Sequence, residues 1–235
     1  MHSIYEIASP GIDPRFGLAH AEVWQELGAC GTWWTGSERV KAMKEARGAY
    51  GCDLCSRRKQ DLIPNSVSGS HTAVSDLSEE VVDLIHRVVT DPGRLTRTWA
   101  EKIIDSIGEE HYVELVIVIC TQNVIEEFTV ALGVSLPSLP DAGNGTPSRI
   151  RPDGVGDVGA WVSQSIDKPL ANVSRCVSLV PDSAQHWRHI VDEHYSHGRE
   201  FGDLVWDRPL SRPQVELIAS VVSSCLLYTS DAADE

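Results

Sequence analysis

Apolar residues recur at helical spacing along most of this chain. Between positions 78 and 89, Val81, Val82, Ile85, Val88 and Val89 fall at offsets 0, 1, 4, 7 and 8, one face of a helix that Ser78 is placed to cap. Asp91-Pro92-Gly93 then turns the chain. The same pattern predicts helices over 21–27, 37–47, 52–62, 95–107, 109–132, 181–195 and 211–224. Thr35-Gly36-Ser37 opens the second of these, and Gly48 and Gly51 close it. The run Tyr112 to Cys120 is rich in β-branched residues, which makes a buried strand the rival reading. The pattern continues through Asn123, Glu126, Glu127 and Phe128 with no turn residue, and no neighbouring segment offers a pairing strand, so helix is expected. Pro and Gly dominate 136–169, an ordered connector between two helical stretches. The organisation expected is a helical half over 1–135, a connector over 136–180, and the start of a second helical half over 181–224.

Composition adds exclusions. The 235 residues are 42% hydrophobic and 23% charged, ordinary for a globular chain. Twenty Lys and Arg against 34 Asp and Glu give a formal charge of −14, which repels phosphate backbones and anionic membranes, so no nucleic-acid or membrane partner is expected. The longest purely apolar run, 115–120, is far short of the roughly 20 residues that span a bilayer. With no secretory leader pattern at the N-terminus, a cytoplasmic protein is expected. Residues 225–235, from Cys225 to Glu235, resemble the translation of a transposon-type sequencing adapter. On that reading the native stretch is 1–224, and leaving out Asp231, Asp234 and Glu235 moves the charge from −14 to −11.

Candidate chemistry centres on Cys52-Asp53-Leu54-Cys55. Two thiols three residues apart at a helix start meet unpaired N–H groups and the positive end of the helix dipole, which favour thiolate. Arg57, Arg58 and Lys59 add positive charge within the next turn. A thiolate with a resolving partner suits peroxide reduction: attack on the O–O bond gives a sulfenic acid, which the second thiol condenses to a disulfide. The rival uses are half of a zinc site and a pair of inert core cysteines. There is no second CxxC, and Cys30, Cys120 and Cys176 are isolated, which favours redox use over zinc.

The runs Trp34 to Val40, Arg47-Gly48-Ala49 and Cys52 to Lys59 resemble the alkylhydroperoxidase D / carboxymuconolactone decarboxylase superfamily, especially its peroxidase-related members. So do Leu95-Thr96-Arg97, Tyr112 to Leu115, Ala131-Leu132-Gly133 and Pro147-Ser148-Arg149. The resemblance implies an all-α fold, a homo-oligomer, a hydroperoxide substrate with a thiol or dithiol electron donor, no cofactor, and a CxxC centre served by a Glu and His relay. The family pattern places a Glu twelve residues before the first Cys and a His four after the second; this chain has Val40 and Lys59 there. Glu38 and Glu45 are the nearest carboxylates, and His71 is a candidate for the absent histidine. Cys55 is expected as the peroxidatic thiol, Cys52 as its resolving partner, Glu45 or Glu38 as proton acceptor, and Arg58 and Lys59 as thiolate-tuning charges. The stretch 210–224 resembles the helix leading into a second such centre, with Glu216 as its relay carboxylate. Two alternatives stay open: a decarboxylase-like enzyme without redox chemistry, and a degenerate helical oligomerisation or binding module.

Other constellations carry less. His186, His189, Glu193 and His197 share one helical face at about 100° per residue, but they span about 16 Å at 1.5 Å per residue, too far for one ion to reach all four. A polar face opposite Trp187, Ile190 and Val191 accounts for them, and no metal is expected there. His86 and His111 are expected capped or exposed on helices, and the seven tryptophans in core or interface. Gly143-Asn144-Gly145 and Gly154-Val155-Gly156 lack the strand-to-helix setting of a phosphate loop.

Overall fold

The computed structural model describes residue 5 and residues 11–167, 170, 172–194 and 210–231, with side chains up to 221. These residues are mostly helical: α1 (Pro14–Gly28), α2 (Gly36–Ala49), α3 (Asp53–Gln60), α4 (Glu79–Thr90), α5 (Arg97–Ile107), α6 (Glu109–Ala131), α7 (Asn172–Arg175), α8 (Pro181–His194) and α9 (Arg212–Asp231). A two-residue antiparallel pair, β1 (Val155–Gly156) with β2 (Gln164–Ser165), lies inside the Pro/Gly-rich connector. No helix among the described residues is long and apolar enough to cross a membrane.

The helix boundaries follow local chemistry. Asp13 caps α1 by accepting from the Arg15 N–H, with Pro14 at the first helical position, so this helix begins seven residues before the apolar pattern does. At α2, Thr35 accepts from the Glu38 N–H and the Glu38 carboxylate returns to Thr35, a capping box. Ser78 caps α4 and Thr96 caps α5. The β-branched run Tyr112 to Cys120 is helical, inside α6, where tertiary burial overrides propensity. Tyr195, the last residue of the helix expected over 181–195, and His197 just beyond it lie outside the described residues.

Helix α6 is the spine, with α2, α4, α5 and α8 packed around it and α1 against α2 and α8. One core joins Ala42 and Ala46 of α2, Val81, Leu84 and Ile85 of α4, Trp99 and Ile103 of α5, Leu115 and Ile119 of α6, and Leu179 and Val180 before α8. A second joins Val23, Trp24 and Leu27 of α1 with Met43, Val118, Ile125 and Ile190. Helix α8, at the start of the expected second half, thus shares the first half's core, while the described side chains of α9 contribute to neither core. At Gly28, Gly36 and Gly143, three backbone segments meet without side chains. The Gly143 N–H donates to the Gly28 carbonyl at 2.9 Å. A Cβ on Gly36 would stand 2.5 Å from the carbonyl oxygens of Gly28 and Gly143, and one on Gly28 would stand 2.6 Å from that of Asp141.

Beside the second core, His20 of α1 is fully buried, with Nδ1 2.8 Å from the Tyr5 hydroxyl and Nε2 2.5 Å from Nε2 of His194. Burial, and then the neighbouring His194, hold His20 down to about 3. The unfolded chain takes up this proton near 6.5 and the folded one does not, so the contribution to stability is complete above 6.5 and is lost as pH falls toward 3. Urea midpoints measured from pH 7 to pH 4 should fall, and His20→Gln should flatten that slope. An equal slope in the variant would remove His20 as the source.

Candidate functional site

The thiols sit where α2 hands over to α3. Helix α2 ends at Ala49, the Gly51 and Cys52 N–H groups close the turn on the carbonyls of Gly48 and Ala49, and Cys52 caps α3. Cys52 is 1% exposed and Cys55 4%. Over them lies the strap between Val67 and Leu77, which has no helix or strand of its own. It is tied down by the Thr72 N–H on Cys52 Sγ at 3.4 Å and the Val74 N–H on the Glu45 carboxylate at 2.6 Å.

Two imidazoles reach the sulfurs. His71, from the strap, places Nδ1 3.6 Å from Cys52 Sγ and 3.5 Å from Cys55 Sγ. His86, from α4, places Nδ1 3.4 Å from Cys55 Sγ. Each ring's outer nitrogen meets a carboxylate: His71 Nε2 lies 2.8 Å from Asp83 Oδ1, and His86 Nε2 lies 3.0 Å from Glu45 Oε2. An ionised carboxylate only accepts, so both outer nitrogens donate. Asp83 is further fixed by the Trp99 indole N–H at 2.6 Å and the Arg58 guanidinium at 2.8 Å. Two carboxylate–imidazole pairs, from α2, α4 and the strap, thus converge on two thiols at the start of α3.

The electrostatics follow from these contacts. Burial pushes the Cys52 thiol up, but hydrogen bonds from the Thr72 and Cys55 N–H groups and from His71 outweigh it and bring it down to about 5. For Cys55 burial also acts upward, and His71 and His86 more than offset it, so its pKa is lowered. His71, opposed by burial but held by Asp83 and both sulfurs, rises to about 10. His86 is raised despite burial, through Cys55 and Glu45, and Glu45 is lowered despite burial, chiefly through His86. By contrast, burial pushes Cys120 up to about 11.

The structure sorts the expected residues. Cys52, Cys55, Glu45, Arg58 and His71 come together. Glu38 does not: its carboxylate closes the capping box in the first turn of α2, seven residues and about 10 Å of helix away from Glu45. Lys59 is exposed on α3, and Arg58 instead supplies the cation, acting through Asp83. Glu216 is exposed on α9, 3.8 Å from Arg212. His86, expected capped or exposed, is fully buried on the thiols. His111 packs edge-on against Trp33 and Trp34. His189 faces Glu22 at 4.0 Å and Glu193 faces Arg15 at 3.8 Å, while His197 lies outside the described residues. Among the described residues, the one place where three or more His, Cys, Asp or Glu side chains bring ligand atoms together is Cys52, Cys55, His71 and His86.

A cavity of about 680 Å³ opens on the outer side of this cluster. His71, Asp83 and Arg58 line its inner end, and Val82, Trp99 and Ile103 give it an apolar wall. The chain matches no protein-family model, no curated protein and no solved structure.

Proposed function

We propose that this chain is a thiol-dependent oxidoreductase that reduces hydroperoxides, on a helical frame of the alkylhydroperoxidase D type. The observation that carries the reading is the continuous line Glu45–His86–Cys55, a buried carboxylate, imidazole and thiol in hydrogen-bond sequence. It supplies the relay that the residues at positions 40 and 59 do not, using a histidine from a different helix.

The chemistry runs as follows. His86 takes the Cys55 proton, with Glu45 stabilising the imidazolium. The thiolate attacks one peroxide oxygen, the O–O bond breaks, and the departing alkoxide leaves as an alcohol with the proton from His86. Cys55 is then a sulfenic acid. The Cys52 thiolate attacks its sulfur, an S–S bond forms, and hydroxide leaves as water with a proton from His71. Two thiols and one hydroperoxide become a disulfide, an alcohol and water; an external dithiol restores the thiols. The cavity beside His71 fits an organic hydroperoxide, with Trp99 and Ile103 for its apolar part. Exposed Leu217 and Ile218 on α9 support a homo-oligomer.

The test is a single-turnover reaction of the reduced, metal-free protein with cumene hydroperoxide. One equivalent should be consumed per chain, with a disulfide joining Cys52 and Cys55 in the peptide map. Consumption without that disulfide, or none at all, would refute the assignment.

A further inference from the structure

We propose that Cys52, Cys55, His71 and His86 form a tetrahedral zinc site, a role that uses the same side chains but does not depend on peroxide chemistry. Four ligand atoms, two sulfurs and two imidazole nitrogens, lie within 4.8 Å of one another. For Zn–S near 2.3 Å and Zn–N near 2.0–2.1 Å, tetrahedral geometry places sulfur and nitrogen about 3.6 Å apart. Three of the four sulfur–nitrogen separations are 3.6, 3.5 and 3.4 Å, and the fourth, Cys52 to His86, is within 4.8 Å.

The surroundings match what a metal requires of its ligands. Both imidazoles turn Nδ1 inward and give the outer N–H to a carboxylate, His71 to Asp83 and His86 to Glu45, which fixes the ring orientation and raises ligand basicity. The Thr72 N–H, pointed at Cys52 Sγ, partners a thiolate. An S₂N₂ tetrahedron selects zinc among the common divalent ions. A CxxC pair with no second CxxC therefore finds its other two ligands as histidines, 16 and 31 residues beyond Cys55.

Occupied, the site holds both sulfurs as metal-bound thiolates. Oxidation by a hydroperoxide with two protons yields the disulfide, an alcohol, water and free Zn²⁺, because two of the four ligands are lost.

The test uses the full chain, reduced, with zinc or cobalt(II) as the probe. After zinc loading and dialysis into metal-free buffer, one zinc should remain per chain. Cobalt should give a near-ultraviolet thiolate charge-transfer band and intense tetrahedral bands in the visible. Cys52→Ser should remove much of the charge transfer, and His71→Ala should weaken the visible bands. Asp83→Asn should keep the spectrum but lower affinity roughly 10–100-fold. Prior alkylation of the wild-type thiols should abolish the bands, a control that needs no variant to fold. No retained zinc, a weak octahedral cobalt spectrum, or bands unchanged by thiol alkylation would overturn the site. Hydroperoxide consumption by metal-free protein is read separately, so zinc binding without turnover sinks only the peroxidase, and turnover without zinc binding sinks only the metal site.

Discussion

Glu114→Ala should cost about 3–5 kcal/mol of stability, because it strands a charge in the core. Arg39 is 2% exposed and Glu114 fully buried. The guanidinium donates to Glu114 Oε1 through Nε at 2.9 Å and Nη2 at 2.7 Å, and Nη2 also reaches Ser183 Oγ at 2.6 Å. The other carboxylate oxygen accepts the Trp33 N–H at 2.8 Å. One ion pair thus ties together α2, α6, the start of α8 and the turn at Trp33. Removing the acid leaves the guanidinium without its counter-charge and the Trp33 N–H without its acceptor. At about 2–4 °C per kcal/mol for a chain of this size, the melting temperature should drop by roughly 6–20 °C. Arg39→Met combined with Glu114→Leu should recover much of the loss, since two apolar side chains carry no stranded charge. A single variant that melts within a degree or two of wild type would mean the pair contributes little.

Glu45→Gln should slow hydroperoxide reduction by about 10²–10⁴-fold while leaving the thiols in place. In the wild type the carboxylate accepts the His86 Nε2–H, so the lone pair of the neutral ring lies on Nδ1, toward Cys55. A glutamine can present its NH₂ there, which favours the other tautomer: Nε2 becomes the acceptor and Nδ1 carries the hydrogen toward the sulfur. The ring can then no longer take the thiol proton. The amide oxygen still accepts the Val74 N–H, so the strap stays tied. Cys55→Ser should abolish turnover, and Glu38→Gln should leave the rate near wild type. If Glu45→Gln retained full rate with an unchanged melting temperature, His86 would not be the base.

Fold class was legible because amphipathic periodicity is a local property: α4 and α5 follow their stripes closely, while α6, buried on most sides, was legible only as a long run without a turn residue. The start of α1 was also legible in principle, in Asp13-Pro14, a capping residue followed by proline. The thiols announced themselves by spacing. Their partners did not, because His71 and His86 approach from a strap and a separate helix, and chain folding alone decides that meeting. One signal was present. Val82, Ile85, His86 and Val89 lie on the core-facing stripe of α4, as Ala42, Glu45, Ala46 and Ala49 do on α2. A histidine and a glutamate, each in an otherwise apolar stripe, are polar groups that burial obliges to find partners, and here they find each other.

The glycine junction reverses the usual judgement about where a chain tolerates change. By composition, the stretch around Gly143 is the natural place to insert a tag, join a second protein or divide the chain into halves. Yet its backbone is wedged against both the end of α1 and the start of α2, at separations that leave no room for even a methyl group. An insertion there would prise the end of α1 from the start of α2, the helix that leads into the thiol centre. The safer places lie in the exposed segment just after α3, at Leu62 and Ile63, whose side chains meet solvent.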